Sequence, residues 1–319
     1  MHRLPWFALI LPLALAACNA SAPGTPPGPI PPHSFAFAVF GDGPYRSWEV
    51  GRFKKMIEDV NATDLEFFIH VGDIFWFPCS DKHYRQSLAM LNTIEHPVVY
   101  TPGDNEWSDC GKIIAGKHDP QDRLRLLRAT FFAHPGRTIG SCPMRVTSQA
   151  ESPSFSEFVE NVRFVRGGFV FITVHVLLTP PIAETDEVAL RRGGAAIAWL
   201  DEAFEMARRD HLKGVVVAMQ GDPGLDYHRH VPQSFMPFIA RLEEQTRSFE
   251  GQVVLIHGDS HIQRFDQPLK DENGVPAPNF WRIEAFGSPQ IGWVRVVVDS
   301  VAGRIVAVEP RKMSGWGPR

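Results

Sequence analysis

Four cysteines in 319 residues are too few for a fold stapled by disulfides. Basic excess is also missing: 32 Lys and Arg stand against 36 Asp and Glu, giving a net charge of −4 and a pI near 6.4. That leaves no electrostatic footprint for nucleic acid, which calls for a basic face. No Gly-x-Ser-x-Gly occurs, so the turn that presents a serine nucleophile at a strand end is absent. The apolar stretch that follows His2 and Arg3 is too short to span a bilayer. What remains is 44% hydrophobic and 21% charged, a composition that builds a core. After any leader about 300 residues are left, enough for one large α/β domain or two small ones.

What the chain does have is a recurring dipeptide. Gly-Asp occurs at 41–42, 72–73, 103–104, 221–222 and 258–259, each time just after a β-like run. Chance pairing of its glycines and aspartates gives roughly one or two such dipeptides. The richest of these loops is Thr101–Pro102–Gly103–Asp104–Asn105–Glu106–Trp107. It follows the apolar run Pro97–Tyr100 and sets two carboxylates and an amide side by side. Asp42, Asp73 and Asp104 are spaced at equal intervals of 31 residues, the length of one βαβ unit. Ligand sites in open α/β sheets lie at the carboxyl ends of strands. Five loops delivering an acid to one sheet edge therefore point to a metal site.

The element order supports this placement. Strands are expected at 35–40, 66–71 and 97–100, with helices at 47–60 and 81–92 between and after them. A helix at 119–132 follows, with Leu124, Leu127 and Phe131 on one face. A hairpin is expected over 162–176. Ala196, Trp199, Leu200, Ala203, Phe204 and Ala207 form a helical stripe. Strands at 215–219 and 253–256 flank a helix at 235–249. Segments 280–286, 293–298 and 305–308 read as an antiparallel meander. Two packed sheets with helices outside fit this α/β order.

The succession Asp, Gly-Asp, Gly-Asp-Asn-Glu, a polar residue at a strand end, then Gly-Asp-x-His resembles the calcineurin-like metallophosphoesterase superfamily, to which the purple acid phosphatases belong. The resemblance spans roughly residues 36 to 265. It implies a four-layer αββα sandwich of two mixed β-sheets and a centre of two divalent metal ions. Carried over residue by residue, it assigns metal ligation to Asp42, Asp73 (bridging), Asp104, Gln220, Asp259 and His261. Asn105 falls where the family has the histidine that contacts phosphate, and Glu106 on the acid that orients it. Pro44 replaces another family histidine, and Trp76 stands where purple acid phosphatases place a ligand tyrosine. Five of the six ligands are oxygen donors, which suit Mn or Mg better than the Fe or Zn that are also possible. The implied activity is two-metal hydrolysis of a phosphomonoester or phosphodiester.

Asn105 cannot give up a proton, so His257 or His70, both beside Gly-Asp loops, are candidate proton sources; the alternative for each is a strand-end histidine bonded to backbone, the preferred reading for His70. His228 and His230 are candidate pocket residues or solvated loop positions. Asp222 either supports a ligand or caps the turn before Pro223. Tyr45, Trp76 and Trp107 are candidate aromatic walls, Trp107 with core as its alternative. A non-catalytic, lipid-anchored metal- or ligand-binding relative of the same fold is the alternative to a hydrolase.

Leu15–Ala16–Ala17–Cys18 resembles a bacterial lipobox, in which the cysteine becomes the lipidated first residue. The alternative is an ordinary secretory leader. Residues 1–17 are thus a signal peptide, 18–34 a proline-rich tether and 35–319 one domain. Asn19 points to the outer membrane of the cell envelope, with the lipid as the only membrane contact. The expected partner is a phosphoester small molecule. In an exported chain Cys79 and Cys110, each after a Gly-Asp loop, are expected to pair, leaving Cys142; three free thiols are the alternative.

Overall fold

The computed structural model describes residues 28–176, 186–225, 235–271 and 273–314. Cys18, His228 and His230 lie outside them. In chain order the elements are β1 (Ser34–Phe40), α1 (Val50–Asn61), β2 (Phe68–His70), α2 (Asp81–Leu91), β3 (Val98–Tyr100), α3 (Pro120–Phe131), β4 (Thr147–Ser148), β5 (Val162–Arg166), β6 (Phe169–Thr173), α4 (Asp186–Arg209), β7 (Gly214–Ala218), α5 (Met236–Arg247), β8 (Gln252–His257), β9 (Arg264–Asp266), β10 (Phe280–Glu284), β11 (Gly292–Asp299) and β12 (Arg304–Lys312).

Two mixed sheets result. One has the order β12-β11-β1-β2-β3, the other β4-β5-β6-β7-β8-β10-β9. The period-two alternation of β1 explains how they stack. Phe35, Phe37 and Val39 point into the layer between the sheets, where they meet Phe171, Val216, Val254 and Ile283 of the second sheet. Ala36, Ala38 and Phe40 point the other way, into the core under α1, α2 and α3. The outer face of the second sheet packs on α4 and α5 through Trp199, Phe204, Phe238 and Leu242. The chain is a four-layer αββα sandwich, the α/β architecture expected. Strands covered on both faces are apolar throughout, which is why the sequence shows runs rather than alternation.

The final strands differ from the expected meander. β10 runs parallel to β8 and antiparallel to β9 in the second sheet. Only β11 and β12 form a hairpin, and β11 pairs with β1 in the first sheet. Residues 285–291 therefore cross between the sheets. This crossing brings Ser288 to the edge where the Gly-Asp loops lie. Among the described residues no helix is long and apolar enough to cross a membrane.

Candidate metal centre

Parallel register places the first three acids. Phe40 pairs with His70, and His70 with Tyr100. Asp42, Asp73 and Asp104 thus follow adjacent strand ends by two, three and four residues. In the second sheet Ala218 pairs with Ile256, so Gln220 and Asp259 follow paired positions by two and three. Each loop must turn sharply off its strand. Asp42, Asp73, Asp259 and His261 all have left-handed backbones, with φ of 52°, 55°, 73° and 61°. Aspartate tolerates that region better than most residues, which accounts for its place after glycine. The glycines allow close approach: a Cβ at Gly103 would run into Asp73 Oδ1, and one at Gly258 into Asp42 Oδ2.

The loops interlock. Asp42 Oδ1 accepts from Gln220 Nε2 at 3.2 Å and from the Asp259 amide at 3.0 Å. Its Oδ2 is buried without a hydrogen-bond partner. Asp73 accepts from the Tyr45 hydroxyl at 3.0 Å and from the Asn105 amide at 3.2 Å. Glu106 accepts from Ile74 N at 2.9 Å, Tyr100 Oη at 3.0 Å and Gly103 N at 3.2 Å. Its carboxylate thus ties the second and third loops together. Asp222 caps the turn, its Oδ1 accepting from Gly224 N at 2.9 Å; the contact to Asp259 Oδ2, at 3.4 Å, is made by its backbone amide and not by the carboxylate.

Electrostatically the acids act as one unit. Burial, then the charge of Asp259, raises Asp42 well above the usual carboxylate range. Burial raises Asp73 likewise, followed by Asp104, Glu106, Asp42 and Asp259. Asp104 is pushed up to about 7 by burial, then Asp109 and Asp259. His261 joins them from the second sheet. Its Nδ1 donates to Ser288 O at 2.6 Å, because a carbonyl can only accept. Its Nε2 lies 3.8 Å from Asp42 Oδ1.

The donor set suits hard divalent cations: carboxylate and amide oxygens, one imidazole, and a buried carboxylate oxygen with no partner. The ligand atoms are not drawn to a single point. Among the described residues no three His, Cys, Asp or Glu side chains converge tightly enough to hold an ion. Asp42 and Asp73 are turned toward amide and hydroxyl donors, and would have to rotate to share a cation.

The two candidate proton sources are both neutral. Burial lowers His257 to about 4 and His70 to about 3. His70 Nδ1 accepts from Gly72 N at 3.1 Å, so it braces the second Gly-Asp turn. His257 Nδ1 donates to Gly258 O at 2.9 Å, and its bare Nε2 lies 3.9 Å from Glu284 Oε2. Trp107 is fully buried and donates to His175 Nε2 at 3.0 Å, which makes it core. Tyr45 and Trp76 stay at the rim, their ring centroids 6.0 Å apart.

Three supporting groups were not anticipated. Glu49 is fully buried beside the first loop, yet its sequence context reads as an exposed helix start. Ser288 sits in the crossing between sheets, for which the sequence carries no signal. His175 had one: a lone histidine, Val174–His175–Val176, at the end of a buried strand. It donates from Nδ1 to Glu160 at 2.8 Å, and Glu160 takes two bonds from Arg128. The acid loop is thereby braced, through Trp107, against α3.

No family model and no curated protein matches this chain. Among solved structures it is similar to TT1561 of Thermus thermophilus, at 12% identity over 88% of this chain and 99% of that one, with a TM-score of 0.49. A phosphatase of Mycoplasma pneumoniae matches at 10% identity over 88% and 93%, with a TM-score of 0.46. A 5'-nucleotidase of Candida albicans matches at 10% identity over 81% of this chain but 46% of its own length, with a TM-score of 0.46. Likeness at this level concerns the path of the chain and says nothing of metal or substrate.

Proposed function

We propose that the chain is a metal-dependent phosphoester hydrolase related to the calcineurin-like metallophosphoesterases it resembles. One observation carries this reading. Asp42, Asp73, Asp104 and Asp259 come from four loops on two sheets; Asp42, Asp104 and Asp259 each raise the pKa of Asp73, and Asp259 also raises those of Asp42 and Asp104. A fold that gathers buried like charges at its own cost needs a cation to offset them. Asp42, Asp73, Asp104, Gln220, Asp259 and His261 would hold two divalent ions, Mn or Mg before Fe or Zn. Such ions, when bound, polarise a phosphoryl oxygen and acidify water.

The chain's own side chains do the rest. Asn105 offers an amide donor for a phosphoryl oxygen. Glu106 fixes the backbone just after Asp73 and just before Asp104, and so sets where Asn105 stands. Tyr45 holds one oxygen of Asp73. With His70 and His257 neutral, the leaving group takes its proton from solvent, which favours esters with acidic leaving groups.

A second reading is favoured by that same lack of a protein acid: a non-catalytic relative that binds metal or ligand. One experiment separates them. The purified chain is assayed for metal content, then for turnover of nitrophenyl phosphate and bis-nitrophenyl phosphate with Mn²⁺, Mg²⁺, Zn²⁺ or Fe²⁺ added. Two ions per chain with metal-dependent turnover supports the hydrolase. Tight metal without turnover gives the binder, and the absence of both metal retention and metal-dependent turnover overturns the hydrolase.

The leader and Cys18 support a lipid-anchored place in the cell envelope. Labelling with a fatty acid that fails to mark the wild-type chain, or marks Cys18→Ser equally, would refute the anchor.

A further inference from the structure

A cavity of about 910 Å³ runs between α1 and α2 on the outer face of the first sheet. Its volume is that of a small-molecule site. We infer that it takes the organic group of the phosphoester, and that this group is long and apolar; the inference rests on the hydrolase reading above.

The shape follows from the topology. Both helices begin beside the acid loops and run away from them. At the far end the helices are tied: Asn61 Nδ2 donates to Thr93 O at 2.9 Å, and Asn61 Oδ1 accepts from Glu95 N at 2.9 Å. The 12 residues of α1 make the groove about 18 Å long. Ile57, Ile74, Phe75 and Phe77 line it with apolar surface.

Its near end adjoins the acid loops at Tyr45 and Ile74. Tyr45 belongs to both: its ring lines the groove, and its hydroxyl donates to Asp73 Oδ2. Ile74 lines the groove and donates its amide to Glu106. Charge agrees with an anionic ligand. Arg46 and Lys54 line the groove against Glu58, and Arg46 is held 4.3 Å over the Trp76 ring at the mouth. A phosphoryl group at the acid loops therefore has an apolar channel leading from it, with cations at the threshold.

The test compares dodecyl phosphonate, below its micelle concentration, with methyl phosphonate. Neither ester analogue can be hydrolysed, so calorimetry reads binding alone, with and without Mn²⁺. The dodecyl compound should bind at least about 100-fold more tightly than the methyl one, since each buried methylene adds to affinity. Ala89→Trp, an exposed position on the α2 wall, should weaken the dodecyl compound about tenfold or more and leave methyl phosphonate unchanged. Equal binding of the two phosphonates overturns the inference, as does an Ala89→Trp chain that binds both as wild type does. A native dimer that Ala89→Trp makes monomeric overturns it too, giving the groove to a second copy. Groove binding that ignores Mn²⁺ would uphold the channel and sink the hydrolase reading instead, so the two failures are distinguishable.

Discussion

Glu49 Oε1 accepts a hydrogen bond from Ser288 Oγ at 2.7 Å, joining positions 239 residues apart. The other oxygen of Glu49 accepts from Tyr45 N at 2.7 Å and Arg46 N at 3.3 Å. Ser288 in turn donates its amide to Asp42 O at 2.8 Å and takes the His261 Nδ1 proton on its carbonyl. One buried carboxylate thus sets both the first acid loop and the only imidazole among the proposed ligands. Glu49→Ala should lower Mn²⁺ affinity about 10- to 100-fold, the usual effect of losing a group behind a ligand. Glu49→Gln should restore most of it, its oxygen accepting the two amides and its NH₂ meeting Ser288 Oγ. Calorimetric titration reads both. Unchanged affinity in Glu49→Ala would show that the loop holds itself.

Asp73→Asn separates charge from shape. Burial and the neighbouring acids make the Asp73 carboxylate costly. The neutral amide should therefore raise the stability of the metal-free chain at pH 7. The same change should abolish stabilisation by Mn²⁺, which at a hundredfold excess over Kd is worth about 2.7 kcal/mol in the wild type. Urea unfolding with and without Mn²⁺ checks both signs. A variant still stabilised by the metal would remove Asp73 from the centre.

The frame of this centre could be read from sequence because it is local. A strand, a glycine and an aspartate in left-handed backbone are adjacent residues, and the 31-residue spacing of Asp42, Asp73 and Asp104 follows from βαβ geometry. The supports could not, because they are made by tertiary folding. Glu49 and Ser288 meet only once the chain between β10 and β11 passes from one sheet to the other. The meander expected over 280–308 hid that passage: periodicity reports which residues are buried and not which sheet they join. His175 stood at the end of an expected hairpin strand, and its partners were out of reach of any periodicity: Glu160 lies in a stretch with no period, and Arg128 lies off the apolar face of the helix at 119–132.

The Cys79–Cys110 disulfide is formed, with Cα atoms 5.6 Å apart. Each cysteine stands six residues after its acid, Asp73 or Asp104, so the bond repeats the 31-residue spacing and clamps those two loops at matched positions. Closing a loop of 31 residues stabilises the fold by about 3–4 kcal/mol in the chain-entropy model. Cys79→Ser with Cys110→Ser should lose about that much in urea unfolding and weaken Mn²⁺ binding as well. Among the described cysteines only Cys142 is free. Titration of the denatured, unreduced chain by mass spectrometry should find it labelled and the other two untouched; label on Cys79 or Cys110 would rule the bond out.

Acid sensitivity should trace in part to His175. Its Nε2 accepts from Trp107, its Nδ1 proton goes to Glu160, and burial lowers its pKa to about 4. The unfolded chain binds a proton there near pH 6.5, while the folded one does not until about pH 4. Between those values the unfolded state holds more protons, so stability falls as pH falls. Asp104 and Glu284, both raised to about 7 by burial first, pull the other way, since they stay protonated in the fold while the unfolded chain ionises. The net slope therefore mixes opposing groups, and a difference between variants is needed. His175→Gln can keep both hydrogen bonds without titrating. Whatever stability wild type holds over this variant at pH 7 should shrink by about 3 kcal/mol on going to pH 4, from a shift of about 2.5 pK units. Urea unfolding across that range measures the gap. If it stays constant with pH, His175 is not the neutral brace behind the acid loop, and the rigidity of Asp104 must come from Glu106 and the disulfide.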